Sequence, residues 1–143
     1  MTRFILGTLG FIAVVVGCIV LEGGNLVAYL MFTPAIIALV VPFLAMMAVW
    51  PMREWITAWK DAFAAEKTPT AAASSALWAF VEKATYAAAA IGTFAGIILT
   101  IANLRELSEL GKPLAACLLC LFYSAVIGLV CRILRARVER RRG

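Results

Sequence analysis

Of 143 residues, 64% are hydrophobic and 15% charged, whereas a soluble domain carries about 25% charged residues. That balance excludes an ordinary water-soluble globule, so the net charge of +5 must sit in segments that lipid does not cover. A nucleic-acid-binding role for the basic end of the chain is set aside, because beside a membrane such runs more often hold anionic head groups.

Residues 4–21 form the first charge-free run. A spanning helix needs about 20 mostly apolar residues, and twelve residues of this run are Leu, Ile, Val or Phe. Each favours insertion by roughly 0.3–0.6 kcal/mol at mid-membrane. Arg3 and the following apolar stretch, with Val15-Val16-Gly17-Cys18 inside it, are loosely similar to a lipoprotein signal; the segment is read as a retained first span. Glu22-Gly23-Gly24-Asn25 then makes a polar, glycine-containing turn. A second apolar run, 26–51, ends at Pro51, and the two runs predict a helical hairpin.

Residues 52–83 are too few for a domain with its own core, which needs at least about 40 residues, so this segment is predicted to be a helical extension. Over Arg53 to Ala65, the residues Trp55, Ile56, Trp59, Ala62 and Phe63 recur at helical spacing on one face, with Arg53, Lys60 and Asp61 on others. A helix of that pattern lies along the membrane or packs on a neighbour. Thr68-Pro69-Thr70 breaks the chain, and the helix formers from Ala71 to Glu82 lead without another breaker into the next apolar run. Trp50, Trp55, Trp59 and Trp78 all fall in or beside this segment and read as an aromatic belt.

The third run, 84–104, and the fourth, 113–131, predict a second hairpin, and all charges of its connection lie between Arg105 and Lys112. On the third, Ala84, Ala88, Gly92 and Gly96 recur every fourth residue and permit close backbone approach. Thr93, Gly96, Thr100 and Asn103 form a second, hydroxyl- and amide-bearing stripe beside it. On the fourth, Ala116, Cys120, Ser124 and Gly128 repeat the device, with Cys117 alongside. Two small, mildly polar faces can therefore meet. Such faces have two explanations, close helix packing or a narrow wettable passage for an ion, and periodicity alone does not choose between them.

Cytoplasmic segments hold the excess of Lys and Arg. With the N-terminus inside, the inner segments contain Arg3, Arg53, Lys60, Lys67, Lys83, Arg132, Arg135, Arg137, Arg140, Arg141 and Arg142, against Arg105 and Lys112 outside. Both termini are thus expected in the cytoplasm. In the tail, 132–143, Arg135, Arg137, Arg140, Arg141 and Arg142 are expected at lipid head groups. The cysteines, Cys18, Cys117, Cys120 and Cys131, lie within predicted spans. Cys117 and Cys120 have the spacing of a redox or zinc motif, but the chain contains no His, and they read as small packing residues rather than metal ligands. No cofactor is expected, and no set of nucleophile, base and metal ligands indicates an enzyme.

No predicted span contains Asp, Glu, His, Lys or Arg. A proton or cation relay through lipid normally carries an ionisable group at membrane depth, so any ion path here needs a carboxylate from another chain. The same deficit argues against a small multidrug transporter, a class that depends on an intramembrane Glu.

Ile91-Gly92-Thr93-Phe94-Ala95-Gly96-Ile97, then Leu107 to Gly111, then Leu114 to Tyr123, resemble the last two spans of the MotA, ExbB and TolQ family. Gly23-Gly24-Asn25-Leu26 and Thr33-Pro34-Ala35-Ile36-Ile37 resemble the first hairpin of the MotA branch. The resemblance implies an all-α, four-span protein of the bacterial inner membrane, forming a homo-oligomeric ring, five copies in the family, around a dimeric single-span partner of the MotB, ExbD or TolR kind that brings an Asp. It implies an ion path, for protons in the family, through a central pore lined by the third and fourth spans, with Thr93 matching the family's ion-path hydroxyl; Thr100 of the polar stripe is expected to line it too, and Cys120 or Ser124, one turn apart on one face, to replace the family's hydroxyl on the fourth span. Ala88, Gly92, Gly96, Ala116 and Gly128 are expected to pack helices. Two features depart from the family: Leu121 stands where a hydroxyl residue is usual, and the large cytoplasmic domain that engages a flagellar rotor is absent. The alternative expectation is a non-conducting scaffold assembled through the same small-residue seams.

Overall fold

The computed structural model describes residues 9–10, 13–14, 16–17, 32–64, 68–102 and 110–140. It divides into two units, Met1–Phe32 and Thr33–Gly143. In the first unit the six described positions before residue 32 are helical. The rest of the predicted first span, Cys18 and the 22–25 turn lie outside the described residues, as do Asn103 to Glu109 and Arg141 to Gly143.

Among the described residues the second unit holds four helices, α1 (Phe32–Val49, its first residue closing the first unit), α2 (Met52–Phe63), α3 (Ala71–Ala102) and α4 (Gly111–Glu139). No strand occurs among the described residues. Two helices, α3 and α4, are long and apolar enough to cross a membrane, and α1 with α2 makes a third candidate if that bent pair is taken as one broken span. At about 1.5 Å per residue, α3 with 32 residues and α4 with 29 reach roughly 48 and 44 Å. Both exceed the ~30 Å hydrocarbon thickness. Their extra length carries the polar residues, Ser74, Ser75 and Glu82 on α3 and Arg132 to Glu139 on α4. The helix of the fourth apolar run thus continues to Glu139, so most of the basic segment read as a tail is a helical extension.

Ordering of α1 follows from one face. Pro34, Ala38, Pro42 and Met46 recur every fourth residue and are buried, while Ile36, Leu39, Val40, Leu44, Met47 and Val49 are exposed. The outward apolar face suits lipid, where no water is displaced by leaving it bare. The helix stops where Trp50 N donates to Met46 O at 2.9 Å, because Pro51 disfavours helical geometry in the residue before it. Pro51 itself is extended, at φ −68° and ψ 148°, and Glu54 N then bonds Pro51 O to open α2. The chain turns by 113° between the two helix axes. Glu54 in the first turn and Lys60 in the last both suit the helix dipole.

The apolar face of α2 is partly covered: Ala62 is buried and Trp55 and Phe63 are half-buried, whereas Ile56 is 53% and Trp59 39% exposed. Beside it, Ala58 and Asp61 are buried as well. Asp61 is turned inward by two donors, Thr70 Oγ1 at 2.7 Å and Ser74 Oγ, which gather at the start of α3. A carboxylate there accepts hydroxyl hydrogens and also favours the positive end of the helix. This latch closes the turn at Thr68-Pro69-Thr70.

The belt reading fails at Trp78, which is only 3% exposed. It packs edge-to-face on Trp59 at 5.1 Å, while Trp50 meets Phe80 at 4.9 Å and Phe43 meets Trp55 at 5.2 Å. These rings hold α1, α2 and α3 together at the polar end of the bundle.

Candidate functional site

The antiparallel pair α3 and α4 carries every described residue singled out for an ion path or for close packing. Its register can be followed rung by rung. A Cβ placed on Gly96 would strike Cys117 Sγ and lie 3.2 Å from Pro113 O; one on Gly92 would lie 2.6 Å from Cys120 Sγ; one on Gly128 would lie 2.9 Å from the Tyr86 ring. Glycine is thus required by proximity at the first two levels, since any side chain there would displace the opposite helix or its thiols. Ala88, Gly92, Gly96, Cys117, Cys120, Ser124 and Gly128 are all buried in this seam, and Ala116 is half-buried at its edge. The two small faces read from the sequence do meet, and they meet within one chain.

The hydroxyls divide into two kinds. Thr100 Oγ1 donates to Gly96 O of its own helix at 2.8 Å, and Thr85 Oγ1 does the same to Val81 O. Thr93 Oγ1 and Ser124 Oγ are buried and have no hydrogen-bond partner. Cys117 Sγ, at 3.5 Å, points to the backbone carbonyl of Thr93 and leaves its hydroxyl alone. A buried hydroxyl without a partner costs about 1–3 kcal/mol, so these two oxygens are places where a further polar group would be stabilised. Around them the outward faces of α3 and α4 are apolar, with Phe94 67%, Ile98 65% and Leu118 62% exposed.

Two polar rungs lie beyond the seam. Glu82 Oε1 accepts from Arg132 Nη2 at 2.7 Å and from Arg132 Nε at 2.9 Å, the Glu82 side chain being buried and that of Arg132 66% exposed. Ser75 Oγ donates to Glu139 Oε1 at 2.8 Å, and the same oxygen receives Arg135 Nε. Arg137 stands over the Phe63 ring at 5.7 Å, within cation–π range. Arg135 and Arg137, expected at head groups, therefore have protein neighbours, while Arg140 is exposed and Arg141 and Arg142 lie outside the described residues.

Sequence reading passed over Glu82 and Asp61. Glu82 pairs with a residue fifty positions away, which no local spacing signals. For Asp61 the available signal was the pair of hydroxyl residues, Thr70 and Ser74, flanking the start of a helix. Among the described residues no three His, Cys, Asp or Glu side chains converge as metal ligands.

Set beside known protein families, curated proteins and solved structures, the chain matches none of them.

Proposed function

We propose that this protein is an ion-channel subunit of a membrane motor complex, spanning the membrane four times in two hairpins with both termini in the cytoplasm. In this reading several copies, five by resemblance to the MotA, ExbB and TolQ family, surround a dimeric single-span partner. The partner supplies the ion-carrying Asp that the apolar lengths of α3 and α4 lack. The supporting observation is the Thr93 hydroxyl, buried beside the seam without a partner. A carboxylic acid in lipid costs about 3 kcal/mol at mid-membrane, and the Thr93 hydroxyl, enclosed within the chain as it stands on a half-buried residue, would offer it one hydrogen bond after a change of χ1 rotamer. Cys120 and Ser124 face α3 within the chain, so Thr93 is the residue on which conduction is proposed to depend. The short α2 in place of a large cytoplasmic domain favours an envelope load over a flagellar rotor.

Thr93→Val keeps the shape and deletes the hydroxyl. The complex co-purified with its partner and reconstituted in vesicles should lose ion flux on this change while its copy number, read by native mass spectrometry, stays the same. Undiminished flux in the assembled variant, or a complex without any single-span chain, would overturn the channel reading. A second reading has its own support: the Gly92–Cys120 and Gly96–Cys117 contacts account for the small-residue stripes by packing alone. A non-conducting scaffold would tolerate Thr93→Val and fail to assemble when the outer apolar face is altered.

A further inference from the structure

Where α1 bends into α2, the bundle leaves a cavity of about 280 Å³. Its walls come from all four helices, among them Ala38 and Met46 of α1, Trp59 of α2, Trp78 of α3, and Ile127 and Cys131 of α4. Every lining residue is apolar, aromatic or a thiol. Water needs two to four polar partners to stay in such a space, and the lining side chains offer only indole N–H groups, that of Trp78 among them without a partner, and no oxygen acceptor. Such a lining suits a thin, flexible hydrocarbon chain.

The level of the cavity identifies that chain. Its α4 wall runs from Val126 to Leu134, and Arg132 is the first charge after the apolar run that ends at Cys131. The space therefore begins about 9 Å inside the level of Arg132 and reaches the charged boundary, the depth at which a phospholipid passes from acyl chain to head group. Arg132 uses two of its N–H groups on Glu82 Oε1 and keeps a 66% exposed side chain, so part of its fork of five donors is turned to the outside. Lys60, exposed on α2 next to Trp59, adds a second cation at the boundary.

We propose that this cavity binds one acyl chain of an anionic phospholipid, with Arg132 holding its phosphate. The site is independent of any ion path. It fixes the angle between α1 and α2 by filling the space under their bend, so that the lipid acts as part of the bundle.

The test uses the full-length protein in nanodiscs that contain phosphatidylglycerol with a diazirine near the carboxyl end of one acyl chain, or phosphatidylcholine with the same chain. After illumination, adducts are mapped by peptide mass spectrometry. Met46 and Cys131 are 3% and 4% exposed, so bulk lipid does not reach them. Adducts on Met46 or Cys131 with phosphatidylglycerol, weaker with phosphatidylcholine and lost in Ala38→Phe, are the expected result. Adducts confined to outward residues such as Phe94, Ile98 and Leu118 would overturn the site. So would cross-links from the wall residues to residues 1–31 or to a second copy, which would show protein in the cavity. Equal wall labelling by both lipids would overturn the role of Arg132, and this comparison needs no variant to fold.

Discussion

Three glycines on one helix pair offer a graded test of the seam. Replacing Gly92 by Ala adds a methyl 2.6 Å from Cys120 Sγ and 3.1 Å from its Cβ, where ordinary contact begins near 3.4 Å. Overpacking of this kind costs about 1–3 kcal/mol, and Ala in place of helical Gly returns about 0.5–1 kcal/mol, so Gly92→Ala is expected to destabilise by roughly 0–2.5 kcal/mol. Gly96→Ala should cost more, toward the ~3 kcal/mol limit of overpacking. Besides Cys117 Sγ, its methyl meets Pro113 O at 3.2 Å and Cys117 N at 3.4 Å, and backbone does not rotate aside. Gly128→Ala meets the Tyr86 ring first, at 2.9 Å; Tyr86 is 44% exposed and can swing outward, so this change should be neutral or stabilising by up to about 1 kcal/mol. Adding Cys120→Ala to Gly92→Ala removes the clashing sulfur and should recover part of the loss, a coupling of about 0.5–2 kcal/mol. Unfolding in mixed micelles with rising dodecyl sulfate, followed by tryptophan fluorescence, gives each value. Equal effects at the three sites, or Gly128→Ala as the worst, would refute the register of α3 against α4.

Asp61→Ala should loosen α2 from α3, because it strands the buried Ser74 hydroxyl at a cost of about 1–3 kcal/mol, while Thr70 is exposed and can turn to water; Asp61→Asn, which keeps an acceptor, should cost less. Faster amide exchange across α2 in the Ala variant is the readout, and unchanged protection would dismiss the latch. Removing Arg132 leaves the buried Glu82 carboxylate without its cation. The loss should be about 1–3 kcal/mol, short of the 3–5 kcal/mol of a fully buried pair because Arg132 keeps most of its solvent. Glu82→Leu combined with Arg132→Leu should recover stability relative to Arg132→Leu alone, and a double variant as unstable as the sum of the two would exclude the pair.

Much of the local architecture was legible in the residues. Charge-free runs marked α1, α3 and α4, since insertion depends on composition over about 20 residues. Pro51 set the start of α2 and the Thr68-Pro69-Thr70 break the start of α3 at Ala71, because proline acts on its immediate neighbours, whereas the end of α2 at Phe63 carries no such mark. Spacing by four identified Gly92, Gly96, Cys120 and Ser124 as faces able to meet.

What the order of residues left undecided was non-local. Hydropathy placed Asp61 on the polar side of α2, yet two hydroxyls from the next helix bring it inside. Nothing periodic pairs Glu82 with Arg132, fifty residues apart, or buries Trp78 while its neighbour Trp59 stays at the surface. Helix formation and membrane affinity are sums over near neighbours and are written along the chain. The choice of which thiol fills the gap above which glycine, and the cavity beneath the bend of α1 and α2, arise only once separate helices share space.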